Sequence, residues 1–412
     1  MDSLRRITAE RKKILMELKE YRLQRLKEAG AAVGADMIVA TLTANLNYIT
    51  NGYVCVNQDV LTRAECAIGY IPAQDKFVYI VGYADLPTVL EFAGNDANVY
   101  FCGGAFCFEK GIEGDEFVDK IMAYQKEAYP TSADAWNAAV RENLPEGSTI
   151  AIDESRIFAS VLKKVEEKLT GYNVINGTDI FMQARMVKHP EEIAGIEASA
   201  RCAAESLEAA LAQFKPGMTE YRIGELYNIE LAKRGAKPYF CTVTSELRAA
   251  FSDTPNNNTR PIVEGDMIRF DFGCILNGYC SDLGRFAVVG QPTEKQVNYY
   301  KAILAGVDAA IAIAKPGVTA GELFDIAVET VRKEGIPHYR RHHVGHGIGM
   351  ECYDYPTVGH GVDTPIVENM TFNLETPYYE LGWGGMMIED TFVMEADGVR
   401  MLDHTSRDII IL

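Results

Sequence analysis

A duplicated turn motif constrains the fold of this chain more than any other feature. The sequence Lys-Pro-Gly at 215–217 is followed by Thr219, and the same sequence at 315–317 is followed by Thr319. Each copy lies between two helix-like stretches and precedes strand-like segments, which predicts two helix-helix-sheet units related by an approximate two-fold axis. The predicted helices span residues 190–213 and 219–234 in the first unit, and 294–314 and 319–334 in the second.

Each copy of the repeat also carries two acidic residues downstream of its turn. Asp271 and Asp282 follow the first turn, and Glu375 and Glu389 occupy corresponding places after the second. Carboxylates a few ångströms apart repel one another unless a cation or a proton lies between them. The duplicated fold therefore predicts one metal site that is shared by both halves.

A hairpin signal brings the first two acids to one face of a sheet. Asn277-Gly278 favours a two-residue turn, which places Leu276 opposite Tyr279 and Asp271 diagonal to Asp282. A histidine cluster at 342, 343 and 346 supplies imidazole, a common neutral ligand of divalent transition metals. His346 lies between glycines, which leave space for its ring in a crowded site.

The composition describes a two-domain globular protein of a reducing compartment. A chain of 412 residues is longer than a single hydrophobic core usually supports. The sequence pattern also changes from α/β to a long helix at Pro190, so we predict domains 1–184 and 185–412. The net charge of −18 argues against nucleic acid as a partner. Apolar runs are too short for a membrane span, the N-terminus lacks a signal peptide, and nine cysteines lack paired spacing, which favours the cytoplasm.

A specific resemblance emerges from the motifs around these acids. The chain resembles the pita-bread metalloenzymes, namely aminopeptidase P, prolidase, methionine aminopeptidase and creatinase. This resemblance implies an α+β fold, in which an N-terminal α/β creatinase-like domain precedes a pseudo-two-fold pita-bread catalytic domain. The motifs that carry it are Asp271-Phe272-Gly273, Gly278-Tyr279-Cys280-Ser281-Asp282 with Arg285, Gly345-His346-Gly347-Ile348-Gly349, Glu375 and Glu389.

The resemblance also implies a set of roles at the metal site. Asp282 and Glu389 would bridge two divalent ions, Asp271 would complete one ion, and His346 with Glu375 would complete the other. The ions would be manganese, iron, cobalt or zinc, and a bridging hydroxide would attack an amide bond. Glu375 would also shuttle a proton.

Further contacts follow from the same resemblance. His342 matches the family histidine that steadies the reaction intermediate. In the creatinase-like branch, the first domain of one subunit closes the site of its partner, so a homodimer is expected. Tyr48 and Arg63 are then candidate substrate contacts, as is the family-matched Arg285.

The chain departs from the peptidase pattern at the substrate-binding positions. Thr254 and Tyr353 stand where peptidases of the family carry histidines. Met387 stands where aminopeptidase P has an arginine, two residues before the last acid, and Gly284 replaces the usual threonine before Arg285. The metal ligands are thus kept, while the residues expected to contact a peptide differ.

Three functions remain open at the level of sequence. The first is a metal-dependent peptidase that acts on Xaa-Pro bonds or dipeptides. The second is a non-peptidase relative that acts on a small metabolite, similar to the enzymes of creatine, ectoine or dimethylsulfoniopropionate, since pocket contacts rather than metals set specificity. The third is a binding module without catalysis, against which the intact and costly buried acids argue.

Overall fold

The chain forms two compact units, Met1–Ala184 and Arg185–Leu412. The computed structural model describes residues 2–51, 67–94, 97–103 and 108–412. Within these ranges, no helix is both long enough and apolar enough to cross a membrane. Each unit has its own sheet and its own apolar core.

The first unit is built on a mixed six-stranded sheet in the order β4-β3-β2-β1-β5-β6. Strand β1 pairs antiparallel with β2 and parallel with β5. The strands are β1 Met37–Ala40, β2 Ala67–Ile71, β3 Lys76–Gly82, β4 Val99–Cys102, β5 Thr149–Ile152 and β6 Asn173–Asn176. The helices are α1 Asp2–Ala31, α2 Thr43–Thr50, α3 Leu86–Ala93, α4 Glu116–Lys126, α5 Ser132–Asn143, α6 Ala159–Lys168 and α7 Thr178–Met186.

Two candidate substrate contacts were placed in this first unit. Tyr48 is 1% exposed, and its hydroxyl donates a hydrogen bond to the carbonyl of Ala184 at 3.0 Å. The Arg22 guanidinium lies 5.2 Å from the Tyr48 ring. The prediction of a substrate contact is thus corrected for Tyr48, because its ring is packed inside its own unit. Arg63 lies outside the described residues.

The second unit repeats a helix pair and a group of strands. Its helices are α8 Pro190–Leu211, α9 Glu220–Lys233, α10 Glu294–Ile313 and α11 Ala320–Lys333. Its longer strands are β7 Lys237–Ser245, β8 Met267–Leu276, β10 Leu283–Val288, β11 His343–Gly347, β12 Asp354–Gly359, β13 Thr371–Glu375 and β16 Glu389–Glu395. Short strands are β9 Tyr279–Cys280, β14 Tyr378–Glu380, β15 Gly384–Met386, β17 Gly398–Met401 and β18 Ile410–Ile411.

The two Lys-Pro-Gly turns have the same backbone geometry. Gly217 and Gly317 have φ angles of +97° and +96°, which glycine adopts without strain. Their amides donate to the carbonyls of Ile262 at 2.7 Å and Ile366 at 2.8 Å. Thr219 and Thr319 then cap the following helices through their hydroxyls.

The sheet of the second unit places the two repeats side by side. Its main path is β12-β11-β13-β16-β10-β8-β7, with β10 and β16 joining the halves at the centre. Apolar side chains of helices α10 and α11 cover one region of the sheet, and those of α8 and α9 cover another. The centre of the sheet, where the predicted ligands lie, is therefore held by a core from each repeat.

Candidate metal centre

Three of the predicted acids and one glycine form a row across four neighbouring strands. Gly284 of β10 is directly opposite Asp271 of β8 on one side and Glu389 of β16 on the other. Glu389 is in turn opposite Glu375 of β13. Because directly opposed residues project from the same face of a sheet, the three carboxylates share one face.

The fourth acid, Asp282, lies beside this row and follows the predicted hairpin turn. Asn277 and Gly278 both have positive φ, and Leu276 lies opposite Tyr279. After this turn the chain continues through β9, and Asp282 follows just before β10 begins.

Asp282, His346 and Glu389 come close enough to hold one ion together. One potential ligand atom from each residue lies within 4.8 Å of the other two, and all three residues are buried. The His346 Nε2 atom is 3.4 Å from Asp282 Oδ2, and its Nδ1 atom is 3.0 Å from the carbonyl of Gly347. A backbone contact at Nδ1 fixes the ring and leaves Nε2 pointing towards the carboxylates.

Glycines next to His346 are required by close backbone packing. A Cβ atom on Gly345 would lie 1.9 Å from the carbonyl oxygen of Asn373, and one on Gly347 would lie 2.1 Å from that of Tyr355. Any larger residue would push the strand away from its neighbours. The small residues around His346 are therefore explained by the approach of two backbones.

The electrostatics of the site favour a bound cation. Burial, followed by the neighbouring Asp282 carboxylate, raises the pKa of Asp271 to about 7. The same two causes raise the pKa of Glu389 well above its usual value. The Glu389 carboxylate accepts a hydrogen bond from a neutral amide, the Nδ2 group of Asn373, at 2.9 Å. A nearby positive charge stabilises the ionised form of buried carboxylates whose pKa values are raised in this way. These residues therefore fit a divalent metal ion.

Glu375 differs from Asp271 and Glu389 because its pKa is lowered rather than raised, and two basic side chains contact it. His343 Nε2 lies 2.7 Å from Glu375 Oε1, and Arg341 Nη2 lies 3.5 Å from Oε2. Burial acts to raise the pKa of Glu375, but His343 and Arg341 together lower it on balance. The contact of these two residues with Glu375 was not predicted: His343 was expected only as a member of the histidine cluster, and Arg341 belongs to the basic run 340–343 of an otherwise acidic chain.

A thiol that was not predicted also contacts the site. Cys352 is 3% exposed, and its Sγ atom donates to Asp282 Oδ2 at 3.0 Å. Burial, and then the Asp282 charge, raise the pKa of this thiol. It is therefore held as a neutral donor beside a predicted metal ligand.

Arg285 lies on the opposite face of the sheet from the acids. Its Nη1 atom donates to the carbonyls of Gly284 at 2.8 Å and Glu389 at 2.7 Å. Its Nη2 atom is 2.8 Å from Asp390 and 3.4 Å from Asp403, both buried. The prediction of a substrate contact is corrected here, because Arg285 is 3% exposed and supports the backbone beneath the site.

The remaining predicted residues lie at the edge of the site. The Tyr353 ring stacks on the His346 ring with centroids 3.9 Å apart and is 61% exposed. His342 is exposed, and the centroid of its ring lies 4.1 Å from that of the His343 ring. Thr254 lies in the loop that begins with Ser252, whose carbonyl accepts from Arg269 at 2.9 Å.

Comparison with known proteins decides the family. The metallopeptidase family M24 pattern matches residues 194–396, and the creatinase/prolidase N-terminal domain matches residues 22–187. An Xaa-Pro dipeptidase from Pyrococcus furiosus is 30% identical over 77% of this chain and 94% of that protein. The chain belongs to metallopeptidase family M24. It is therefore a metal-dependent hydrolase, and divalent metal use is a property of the family.

Other M24 proteins extend the similarity along the chain. An Xaa-Pro dipeptidase from Lactobacillus helveticus is 28% identical over 84% of this chain and 95% of its own length. The structure of a recombinant prolidase from Thermococcus sibiricus superposes with a TM-score of 0.81 at 20% identity, covering 96% of this chain and 99% of that one. The predicted fold class, a creatinase-like domain followed by a pita-bread domain, is confirmed.

Proposed function

We propose that this chain is a cytoplasmic, homodimeric peptidase with two divalent metal ions, which cleaves Xaa-Pro dipeptides. The observation that carries this proposal is the row of Asp271, Glu389 and Glu375 together with the Asp282–His346–Glu389 cluster. The relatives that match along most of their length are named Xaa-Pro dipeptidases. The domains would be 1–184 and 185–412, with the metals in the second.

The five ligands would divide between two ions. Asp282 and Glu389 would contact both ions, Asp271 would complete one, and His346 with Glu375 would complete the other. Such a pair of ions supplies an acidified water near neutral pH and stabilises negative charge on an attacked carbonyl oxygen. Manganese, iron, cobalt and zinc all accept mixed carboxylate and imidazole ligands.

The residues of the chain would position the substrate and move the proton. Glu375 would accept a proton from the attacking water and pass it to the leaving nitrogen, with His343 and Arg341 holding its carboxylate in place. His342 lies exposed beside His343, where it could hydrogen-bond to a bound substrate. Burial, His343 and Arg341 lower the pKa of His342, which favours the neutral form of its ring.

A second candidate function is hydrolysis or lysis of a small non-peptide metabolite. The observation that favours it is Tyr353, which covers the outer side of His346 at a position where family peptidases carry a histidine. A phenol ring in that place narrows the approach to the ligand and removes an imidazole from the pocket. The metals would be unchanged, because Tyr353 provides no predicted ligand.

One experiment separates the two candidates. Purified protein is loaded with Mn²⁺, Co²⁺ or Zn²⁺, its metal content is measured, and turnover is tested on Xaa-Pro dipeptides, creatine, ectoine and dimethylsulfoniopropionate. Cleavage of dipeptides with about two metals per chain supports the peptidase. Turnover of a metabolite alone supports the second candidate. Loss of turnover in Asp282→Asn, but not in the exposed Asp397→Asn, assigns the activity to this site.

A further inference from the structure

The two departures from the family pattern next to the metal row touch each other. Gly284 lies between Asp271 and Glu389 in the sheet. A Cβ atom built on Gly284 would lie 2.5 Å from Met387 Cγ and 2.9 Å from Met387 Sδ. The Met387 side chain therefore packs across Gly284 and occupies the space that a threonine would need.

An arginine from another strand lies against the same methionine. Arg269 Nη1 is 3.9 Å from Met387 Sδ and 3.2 Å from Asp271 Oδ2. Arg269 precedes Asp271 by two residues on β8, so both side chains project from the same face. A guanidinium is thus present beside the first predicted ligand, although position 387 holds no arginine.

Arg269 is fixed by further contacts and is fully buried at 0% exposure. Its Nη2 atom donates to the carbonyls of Phe251 at 3.0 Å and Ser252 at 2.9 Å. The Tyr379 ring lies 5.4 Å from its Cζ atom. The Nη1 group of this planar cation donates to the Asp271 carboxylate at 3.2 Å, which is a charge-assisted bond.

We infer that Arg269 supplies, from strand β8, the guanidinium that aminopeptidase P carries at the position of Met387. Gly284 and Met387 belong to the same replacement. Glycine at 284 leaves space for the Met387 side chain, whereas a larger side chain at 284 would displace Met387 from Arg269. Arg269 acts as a positioning residue through Asp271. It engages Oδ2 and balances its charge, which leaves Oδ1 as the oxygen available to a metal ion.

This inference rests on the proposed function only in taking Asp271 as a ligand. It differs from a purely structural role for Arg269, such as holding the loop at Phe251 and Ser252. A structural role predicts a loss of stability without a specific change in metal binding. A positioning role predicts that a guanidinium returned from position 387 restores metal binding.

The test moves the guanidinium from position 269 on β8 to position 387, which lies between β15 and β16. Arg269→Met is compared with the exchange Arg269→Met/Met387→Arg and with the triple variant that adds Gly284→Thr. Metal affinity is measured by competition titration with Mn²⁺ and Co²⁺, thermal unfolding is recorded without metal, and kcat and KM are measured separately. Met387→Leu is the matched control, because it nearly keeps the volume of the side chain and adds no charge.

We expect Arg269→Met to weaken one of the two metal equivalents by about 10–100-fold, the usual effect of removing the partner of a ligand. The exchange or the triple variant should recover most of that loss, and Met387→Leu should leave affinity unchanged. Unchanged affinity in Arg269→Met would overturn the inference. Well-folded exchange and triple variants that both bind metal as poorly as Arg269→Met would also overturn it.

A conservative variant covers the case in which Arg269→Met does not fold. Arg269→Lys keeps the charge beside Asp271 but cannot reproduce both carbonyl bonds in the same geometry. If a folded Arg269→Lys binds metal weakly and adding Met387→Arg restores the affinity, the inference is supported. If adding Met387→Arg does not restore the affinity, the inference is contradicted. Because the readout is metal affinity, failure of every substrate would affect the proposed function and not this inference.

Discussion

His343 lies 2.7 Å from Glu375 through its Nε2 atom and the Oε1 atom of the carboxylate. The family resemblance directs attention to the neighbouring His342, which is exposed and contacts His343 edge to face. His343 begins β11 and its ring contacts Glu375, whereas His342 lies in the bend just before this strand and is exposed. In this chain it is His343 that holds the predicted proton shuttle.

We therefore expect His343→Gln to weaken metal binding at the Glu375 side of the site. The carboxylate loses a basic partner that lowers its pKa and fixes its orientation, and such losses cost about 10–100-fold in metal affinity. Titration with Co²⁺ measures the effect. His360→Gln is the matched control, since His360 also pairs with an acid, Asp325 at 2.8 Å, but is exposed. Equal affinities in both variants would contradict the role of His343.

The stabilisation by metal should increase with pH. Without metal, the pKa of Asp271 in the folded chain is about 7, far above its usual value, so the folded state keeps a proton that the unfolded state has released. Stability from this group therefore falls as the pH rises from about 4 to about 7, and Glu389 acts in the same direction. Glu375 acts in the opposite direction, because its pKa is lowered.

A divalent cation replaces the proton and removes this penalty. We expect the rise in Tm on adding metal to be larger at about pH 8 than at about pH 5, measured by thermal unfolding with metal and with chelator. Asp282→Asn, which removes one acid from the cluster, should show a smaller dependence. A metal-induced rise in Tm that is the same at both pH values would contradict the assignment of these raised pKa values to the metal site.

Arg285 should contribute to stability rather than to substrate binding. Replacement by leucine leaves Asp390 and Asp403 buried without this cation, and burial already raises the pKa of Asp390 to about 6. Breaking such a buried network costs about 3–5 kcal/mol in the free energy of unfolding. Chemical denaturation of Arg285→Leu measures it. Arg222→Leu, which removes an exposed pair with Glu225, should cost at most about 1 kcal/mol.

A loss of stability no greater in Arg285→Leu than in the surface control would contradict this role. A raised KM with unchanged stability would instead return Arg285 to the substrate pocket.

Tyr353→His should change substrate preference more than metal content. The ring stacks on His346 from the solvent side and supplies no predicted ligand, so the metals should stay bound while the pocket changes shape. The ratio of kcat/KM values for dipeptides and metabolites, with metal analysis alongside, measures this. Tyr221→His on the exposed surface of helix α9 is the control. An unchanged substrate profile in Tyr353→His would mean that this position does not set specificity.

The features that follow a local pattern could be predicted from sequence. The Lys-Pro-Gly turns require glycine at positive φ, and Asn277-Gly278 fixes the register of its hairpin. The places of Asp271 in β8 and of Asp282 just before β10 therefore follow directly. The acids of the second repeat follow from the duplication. These relationships depend on backbone geometry, which residue types determine over short distances.

The features that depend on long-range packing could not be predicted in this way. Arg285 matches a family motif, but the alternation of side chains along β10 turns it away from the acids. Cys352 reaches Asp282 only because two loops that are distant in sequence meet. Tyr48 is an ordinary aromatic in the sequence, and its burial depends on how α1, α2 and α7 pack together.

The metal content of two isosteric variants tests the central claim most directly. Asp282→Asn and Glu389→Gln keep the shape of the predicted bridging ligands and remove their charge, while Asp397→Asn does the same at an exposed turn. We expect about two divalent ions per chain in the parent protein and in Asp397→Asn, and nearly none in the other two, because each ion needs both bridging carboxylates. Full metal content in either bridging variant would contradict the assignment of this site.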